Sequence, residues 1–345
     1  MAAWGWAKRL IGLEKEPAAA DKTDAVHGQS LTLSGDAAPG NVRFPRVPGE
    51  TGTPAAPTPE PLNRDRIHPV NEYSYVKGHG TENDFVLVPD ANGRQELTVG
   101  QVALLCDRRS GIGADGVIRV VRTDATEDPA AVAARGEAMW FMDYRNADGS
   151  LSEMCGNGIR VLGHFLATHA DVDPRNPLPI ATRAGVKTLT FDRGNQITVD
   201  MGTPEVLGTT TVTVGDRTFE ASNVSIGNPH AVAFVEDLAE AGELLEAPGH
   251  DASVYPEGVN VEFVTRRGEH HLAMRVHERG SGETRSCGTG ACAVMVAAAL
   301  ADEAPRGTSY AVDLPGGTLH IVWTQDDRIL MTGPAVLTAE GVTRL

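Results

Sequence analysis

The chain has 345 residues, 41% hydrophobic and 22% charged, with 30 basic against 46 acidic side chains and a net charge of −16. That balance leaves no basic stripe for nucleic acid, and 5% aromatics is too few for a base-stacking platform. The longest uncharged apolar-leaning run, 286–301, is shorter than the ~18 residues of a membrane span, and no apolar export region follows Lys8 and Arg9. A cytoplasmic protein without nucleic-acid or membrane partners is expected.

Residues 1–71 hold nine of the 21 prolines, a composition that favours extended or disordered chain and cannot bury a core. From Tyr73 the texture changes. Residues 73–77 and 85–88 read as strands around a turn-rich stretch at 78–84, and 138–144 as another strand. Cys155-Gly-Asn-Gly then opens a helix with Ile159, Leu162 and Leu166 at helical spacing. Residues 186–191 and 196–201 form a hairpin turning at Arg193-Gly-Asn. Strands at 210–214, 231–235, 260–264 and 272–277 follow, and Cys287-Gly-Thr-Gly opens a second helix through Leu300. Strands at 310–314, 319–323 and 329–331 complete the pattern. The two Cys-Gly elements lie 132 residues apart, and Asn83 and Asn228 lie 145 apart in the same order. This order predicts two similar halves, crossing near Met201-Gly-Thr-Pro.

Four cysteines in a chain this long are not a disulfide framework. Cys155 and Cys287 stand out because each sits at a helix N-terminus, where free N–H groups and the dipole favour a thiolate. The flanking glycines would let a carboxylate approach those N–H groups. Cys106 and Cys292 lack this context and read as packing. No C-x-x-C spacing or clustered histidine suggests zinc. Two thiols facing one site suit inversion at a carbon bearing an acidic hydrogen, one removing a proton and the other supplying one to the opposite face. A pyridoxal Schiff base is disfavoured, since Lys77 and Lys187 are the only lysines beyond the Pro-rich segment.

The motifs His79-Gly-Thr-Glu-Asn-Asp-Phe, Asn146-Ala-Asp-Gly-Ser, Glu153-Met-Cys-Gly-Asn-Gly, Gly227-Asn-Pro-His, Gly258-Val-Asn and Glu278-Arg-Gly-Ser-Gly-Glu-Thr-Arg-Ser-Cys-Gly-Thr-Gly-Ala occur in order. Over roughly 73–345 the chain thus resembles the diaminopimelate epimerase family. The resemblance implies an α+β fold of two pseudo-symmetric domains, each a mixed, mostly antiparallel, barrel-like sheet around a central helix. The domains would be 72–200 plus 333–345, and 201–332. It implies cofactor-free, metal-free interconversion of LL- and meso-2,6-diaminopimelate, a step toward lysine and cell-wall cross-links, with a small-molecule substrate and a homodimer as one assembly. Cys155 and Cys287 would be the catalytic pair, by convention donor and acceptor. Gly156 and Asn157, with Gly288 and Thr289, would cradle the reacting α-carboxylate. Asn83, Asn146, Asn228, Asn260, Glu278 and Arg279 would contact substrate, and His230 with Glu278 would tune the thiols.

The chain departs from the family pattern at three positions. Glu82 stands where many relatives have Gly, Gly116 where some offer a polar side chain, and Ala339 where some have a Tyr that supports dimerisation. Rival readings are a proline or hydroxyproline racemase of the same fold, a non-catalytic amino-acid-binding relative, and a thiol redox switch. The Asn and Arg set favours the longer substrate.

Overall fold

The computed structural model describes residues 72–345, so the expectation of a disordered segment at 1–71 lies outside the described residues. The first half of the fold runs β1 (Glu72–Gly80), β2 (Asn83–Pro89), α1 (Val99–Cys106), β3 (Gly116–Arg122), α2 (Pro129–Ala133) and β4 (Trp140–Asn146). It continues through α3 (Gly156–His169), β5 (Leu178–Thr182), β6 (Gly185–Asp192) and β7 (Gln196–Gly202). The second half holds β8 (Glu205–Val214), β9 (Arg217–Ser225), β10 (Pro229–Phe234), β11 (Gly249–His250), β12 (Asn260–Gly268) and β13 (His271–Glu278). After β14 (Gly282–Thr284) come α4 (Gly288–Ala301), β15 (Ser309–Leu314), β16 (Gly317–Trp323), β17 (Ile329–Pro334) and β18 (Val336–Arg344).

Strand pairing shows the internal repeat. The row β18-β1-β2-β3-β4-β5-β6-β7 is joined antiparallel, antiparallel, parallel, antiparallel, parallel, antiparallel, antiparallel. The row β8-β9-β10-β12-β13-β15-β16-β17 repeats that series step for step. Strands β7 and β17 pair antiparallel, Val199 opposite Met331, and fuse the rows into one sheet. Each row curls, because α3 touches β1, β2, β3, β7 and β18, from both ends of its row. Helix α4 likewise touches β9, β10, β12, β15, β16 and β17. A helix enclosed on all sides must be apolar all round, and Ala291 to Ala299 of α4 are all buried. No helix among the described residues is long and apolar enough to cross a membrane.

The expected strands and both Cys-Gly helices are present. The turn expected at 78–84 is narrower: β1 runs through Gly80, leaving Thr81 and Glu82 at φ +48° and +63°. Two left-handed residues in succession are what a type I′ two-residue hairpin requires, a place usually given to Asn-Gly. Strands β3, β5, β9, β11, β14 and β18 and helices α1 and α2 are additional to the sequence reading. β3 is buried along almost its whole length, so it lacks the alternation that marks a half-exposed strand.

Candidate active site

Cys155 and Cys287 occupy equivalent positions, each the N-cap of a central helix in extended conformation. Ser, Thr, Asp or Asn usually caps a helix through oxygen. Here sulfur accepts instead, from the Gly158 N–H at 3.5 Å and the Gly290 N–H at 3.4 Å. The glycines serve packing as well as approach. A Cβ on Gly156 would lie 2.8 Å from the Met331 methyl, and one on Gly288 would lie 3.3 Å from the Met331 sulfur. The first turns of α3 and α4 therefore converge on one side chain of β17, at the β7–β17 seam.

A buried polar network ties the two halves together there. The Asn157 amide donates to the Ser286 hydroxyl at 3.0 Å, the Ser286 carbonyl at 3.3 Å and Asn83 Oδ1 at 3.3 Å. Its Oδ1 accepts from Arg160 at 2.9 Å and Thr81 at 3.3 Å. Thr81 and Ser286 share a hydrogen bond of 2.5 Å. At the exposed rim, Glu82 of the first half pairs with Arg285 of the second. Ser286 directly precedes Cys287, so the network links the two cysteine-bearing segments. The Cys155 thiol donates to Asn83 Oδ1 at 3.4 Å, and Asn83 is held by Asp115 at 2.7 Å.

The register makes the two sides comparable and shows how they differ. Phe85 pairs with Gly116, which pairs with Asn146. In the second half His230 pairs with Asn260, two residues before Glu262 on β12, and Glu278 ends β13. Thus His230 stands where the first half has Phe85, Glu262 where it has Ile118, and Glu278 where it has Asn146. His230 Nδ1 lies 2.7 Å from Glu262 Oε1, both fully buried, and its Nε2 lies 3.1 Å from Asn228 Oδ1. The Asn228 amide in turn donates to Thr289 at 3.3 Å. The Thr284 hydroxyl donates to Glu278 Oε1. Burial pushes the Cys155 thiol up to about 11, against the helix N–H groups that lower it. Burial with the carboxylates of Glu278 and Glu262 holds Cys287 well above the ordinary thiol value. Burial also raises Glu278 above the usual carboxylate value.

The structure thus gathers Cys155, Cys287, Gly156, Asn157, Gly288, Thr289, Asn83, Asn228, His230 and Glu278 around the two helix starts. Asn260 is buried nearby, donating to the Pro229 carbonyl and accepting the Arg279 N–H, so it braces both. The exposed Arg279 side chain reaches the Glu257 carbonyl at 3.3 Å. Asn146 is tied into its own loop through Ser150 at 3.0 Å, with no direct bond to the cysteines. A Cβ on Gly116 would lie 2.6 Å from the Tyr144 ring, which accounts for the missing side chain there. Cys106 and Cys292 are buried packing residues, as read from sequence. Sequence reasoning missed Glu262, Arg160, Thr81 and Ser286. The available signal was a single charge inside an apolar stretch: Glu262 between Val261 and Phe263, and Arg160 between Ile159 and Val161. Among the described residues no three His, Cys, Asp or Glu side chains gather to hold a metal ion.

Comparison with known proteins agrees with this geometry. The family profile of diaminopimelate epimerase matches residues 75–207 and 222–338. A diaminopimelate epimerase of Streptomyces coelicolor is 55% identical over 275 residues, 78% of this chain and 94% of the relative. One from Thermobifida fusca is 44% identical over 275 residues, 79% of this chain and 98% of the relative. Among solved structures, a PhzF-family phenazine biosynthesis protein of Bacillus anthracis superposes with a TM-score of 0.60 at 16% identity, covering 80% of this chain and 100% of its own. A hydroxyproline epimerase of Agrobacterium vitis gives 0.56 at 15%, covering 79% and 93%. At such identities these two establish the fold alone.

Proposed function

The chain belongs to the diaminopimelate epimerase family, and from that premise we propose that Cys155 and Cys287 invert one α-carbon of 2,6-diaminopimelate without a cofactor. The protein is an epimerase interconverting diaminopimelate isomers. The observation that carries the mechanism is the pair of equivalent cysteine N-caps whose helices begin against the same Met331. One thiolate takes the α-proton, and the other thiol delivers a proton to the opposite face. By convention Cys155 is the donor and Cys287 the acceptor in one direction and the roles exchange in the other, so that whichever sulfur is ionised takes the proton. The N–H groups of Gly156, Asn157, Gly288 and Thr289 are oriented dipoles that stabilise charge developing on the α-carboxylate.

Both thiols are held protonated by burial, so ionisation needs help. The substrate ammonium, entering beside them, favours a thiolate. Glu278, buried beside Cys287, opposes ionisation of that sulfur and so biases the pair toward one thiolate and one thiol. His230 on Glu262 orients Asn228. Asn83, Asn146, Asn260 and Arg279 hold the distal amino-acid end, Arg279 through a two-pronged grip on its carboxylate. We propose 72–200 plus 333–345, and 201–332, as the two domains, a cytoplasmic location, and a homodimer as the assembly to test. Cys155→Ala and Cys287→Ala should each lower turnover about a hundred- to ten-thousandfold, while Cys106→Ala and Cys292→Ala retain it. Near-normal turnover in either of the first two sinks the two-thiol mechanism.

A further inference from the structure

Arg160 is the largest fully buried side chain of the fold, with no exposed surface. Buried arginines are rare and normally face a carboxylate, because an unpaired charge loses its hydration. Among the described residues no carboxylate pairs with Arg160. Its partners are neutral: the Gly156 carbonyl at 3.0 Å, Asn157 Oδ1 at 2.9 Å, the Thr81 hydroxyl at 3.4 Å and the Pro334 carbonyl at 3.4 Å. Gly80 and Gly333 leave room for it, since a Cβ on either would come within 3.2 Å of the guanidinium. The equivalent position in the second helix, also five residues after its cysteine, is the neutral Cys292. The two sides of the pseudo-symmetric site therefore differ in buried charge. Both cysteines cap a helix N-terminus, but behind Cys155 stands a cation, and behind Cys287 stand Glu278 and Glu262, with His230 on the latter.

We propose that Arg160 is a positioning residue of the proton-transfer pair, its guanidinium being the buried counter-charge that makes Cys155 the sulfur that ionises first in the free protein. This rests on the two-thiol reading above. Around Cys155, its partner Asn83 and the Tyr144 phenol are neutral, Glu278 opposes ionisation, and Arg160, one turn further along the same helix, offsets part of that opposition. The groups facing Cys287 are Thr289, Glu278 and Glu262, and both carboxylates oppose ionisation. Through Asn157 and Ser286 the same guanidinium also braces the segment before Cys287, so one side chain sets both the charge of the pair and its spacing.

The test is alkylation of the full-length protein by iodoacetamide at pH 8, without substrate, with the rate at each cysteine read by peptide mass spectrometry. This readout does not need turnover, so its failure is separable from failure of the epimerase reading. Only thiolates react, so raising the Cys155 pKa by one unit slows it tenfold. Arg160→Gln should slow Cys155 about tenfold relative to Cys287 in the same molecule, and Arg160→Lys should restore it to within about threefold. A residue that merely braced the seam would, once removed, open the site and speed both sulfurs. An unchanged or faster Cys155 in Arg160→Gln therefore overturns the proposal. Should Arg160→Gln not fold, the wild type decides. Its Cys155 rate must level off at a lower pH than its Cys287 rate, and the opposite order overturns the proposal.

Discussion

Replacing Asn157 by Ala would remove the amide at the centre of the seam without touching either sulfur. Asn157 is 1% exposed, and its amide joins Ser286, Asn83, Arg160 and Thr81. Ser286 and Thr81 keep one another. The Arg160 N–H loses its 2.9 Å acceptor and is left with Thr81 at 3.4 Å. A buried donor without a partner costs about 1–3 kcal/mol, and more when charged, so the loss should be about 2–4 kcal/mol. For a fold of about 275 residues each kcal/mol moves the melting temperature by about 2 °C. Asn157→Ala should therefore melt about 4–8 °C lower by calorimetry. Asn157→Asp keeps the acceptor for Arg160 while losing the donors to Ser286, so it should regain part of the stability. It should not regain turnover, because it sets a carboxylate beside Cys155. As a reference, Arg193→Ala, an exposed turn residue, should stay within about 0.5 kcal/mol of wild type. The reasoning fails if Asn157→Ala melts within 2 °C of wild type, or if Asn157→Asp is no more stable than Asn157→Ala.

Two further outcomes follow from the same structure. Burial alone would raise the Asp84 carboxyl, but Arg108 and Lys77 override it and hold it far below its ordinary value. A depressed carboxyl stabilises the fold above the unfolded pKa near about 3.9 and loses that contribution as pH falls. Asp84→Asn should thus lower the melting temperature at pH 7, with the gap to wild type closing below about pH 4. A gap that widens in acid would reverse the assignment. Separately, a mild oxidant without substrate should inactivate the enzyme reversibly by linking Cys155 to Cys287, a bond that needs Cα atoms within roughly 7 Å. Peptide mapping that finds Cys106 or Cys292 in the bond would contradict the facing-thiol geometry.

What was legible in the sequence was local. Each Cys-Gly-x-Gly element declares a helix start, and the Arg193-Gly-Asn hairpin carries its own turn residues. The recurrence of these signals in one order implied the internal repeat. What escaped the reading depends on residues far apart in the chain. Glu262 looks like an isolated charge in an apolar strand until β10 brings His230 beside it. Arg160 looks like an exposed helical arginine until the sheet closes around α3. The turn at Thr81 and Glu82 is tighter than its residue pattern implies, because its left-handed residues are not the usual Asn-Gly. Clasped against Ser286 and Arg285 of the other half, the pair keeps a geometry its own residues do not favour. β18 pairs with β1 across the whole described chain, a neighbour that no short-range pattern announces.

The central claim is that two different sulfurs handle the proton on opposite faces of one carbon, and its most direct test is the origin of the hydrogen in the first product formed. LL-diaminopimelate is incubated with the enzyme in deuterated water, and substrate and product are separated by chiral chromatography and weighed by mass spectrometry at low conversion. With two thiols, the hydrogen removed stays on one sulfur while the other delivers a solvent-derived deuteron. The meso product should then carry one deuterium at the inverted carbon, and the remaining LL substrate should carry almost none. If the early product instead retains the substrate's own hydrogen, a single group serves both faces and the account of Cys155 and Cys287 as a pair is wrong.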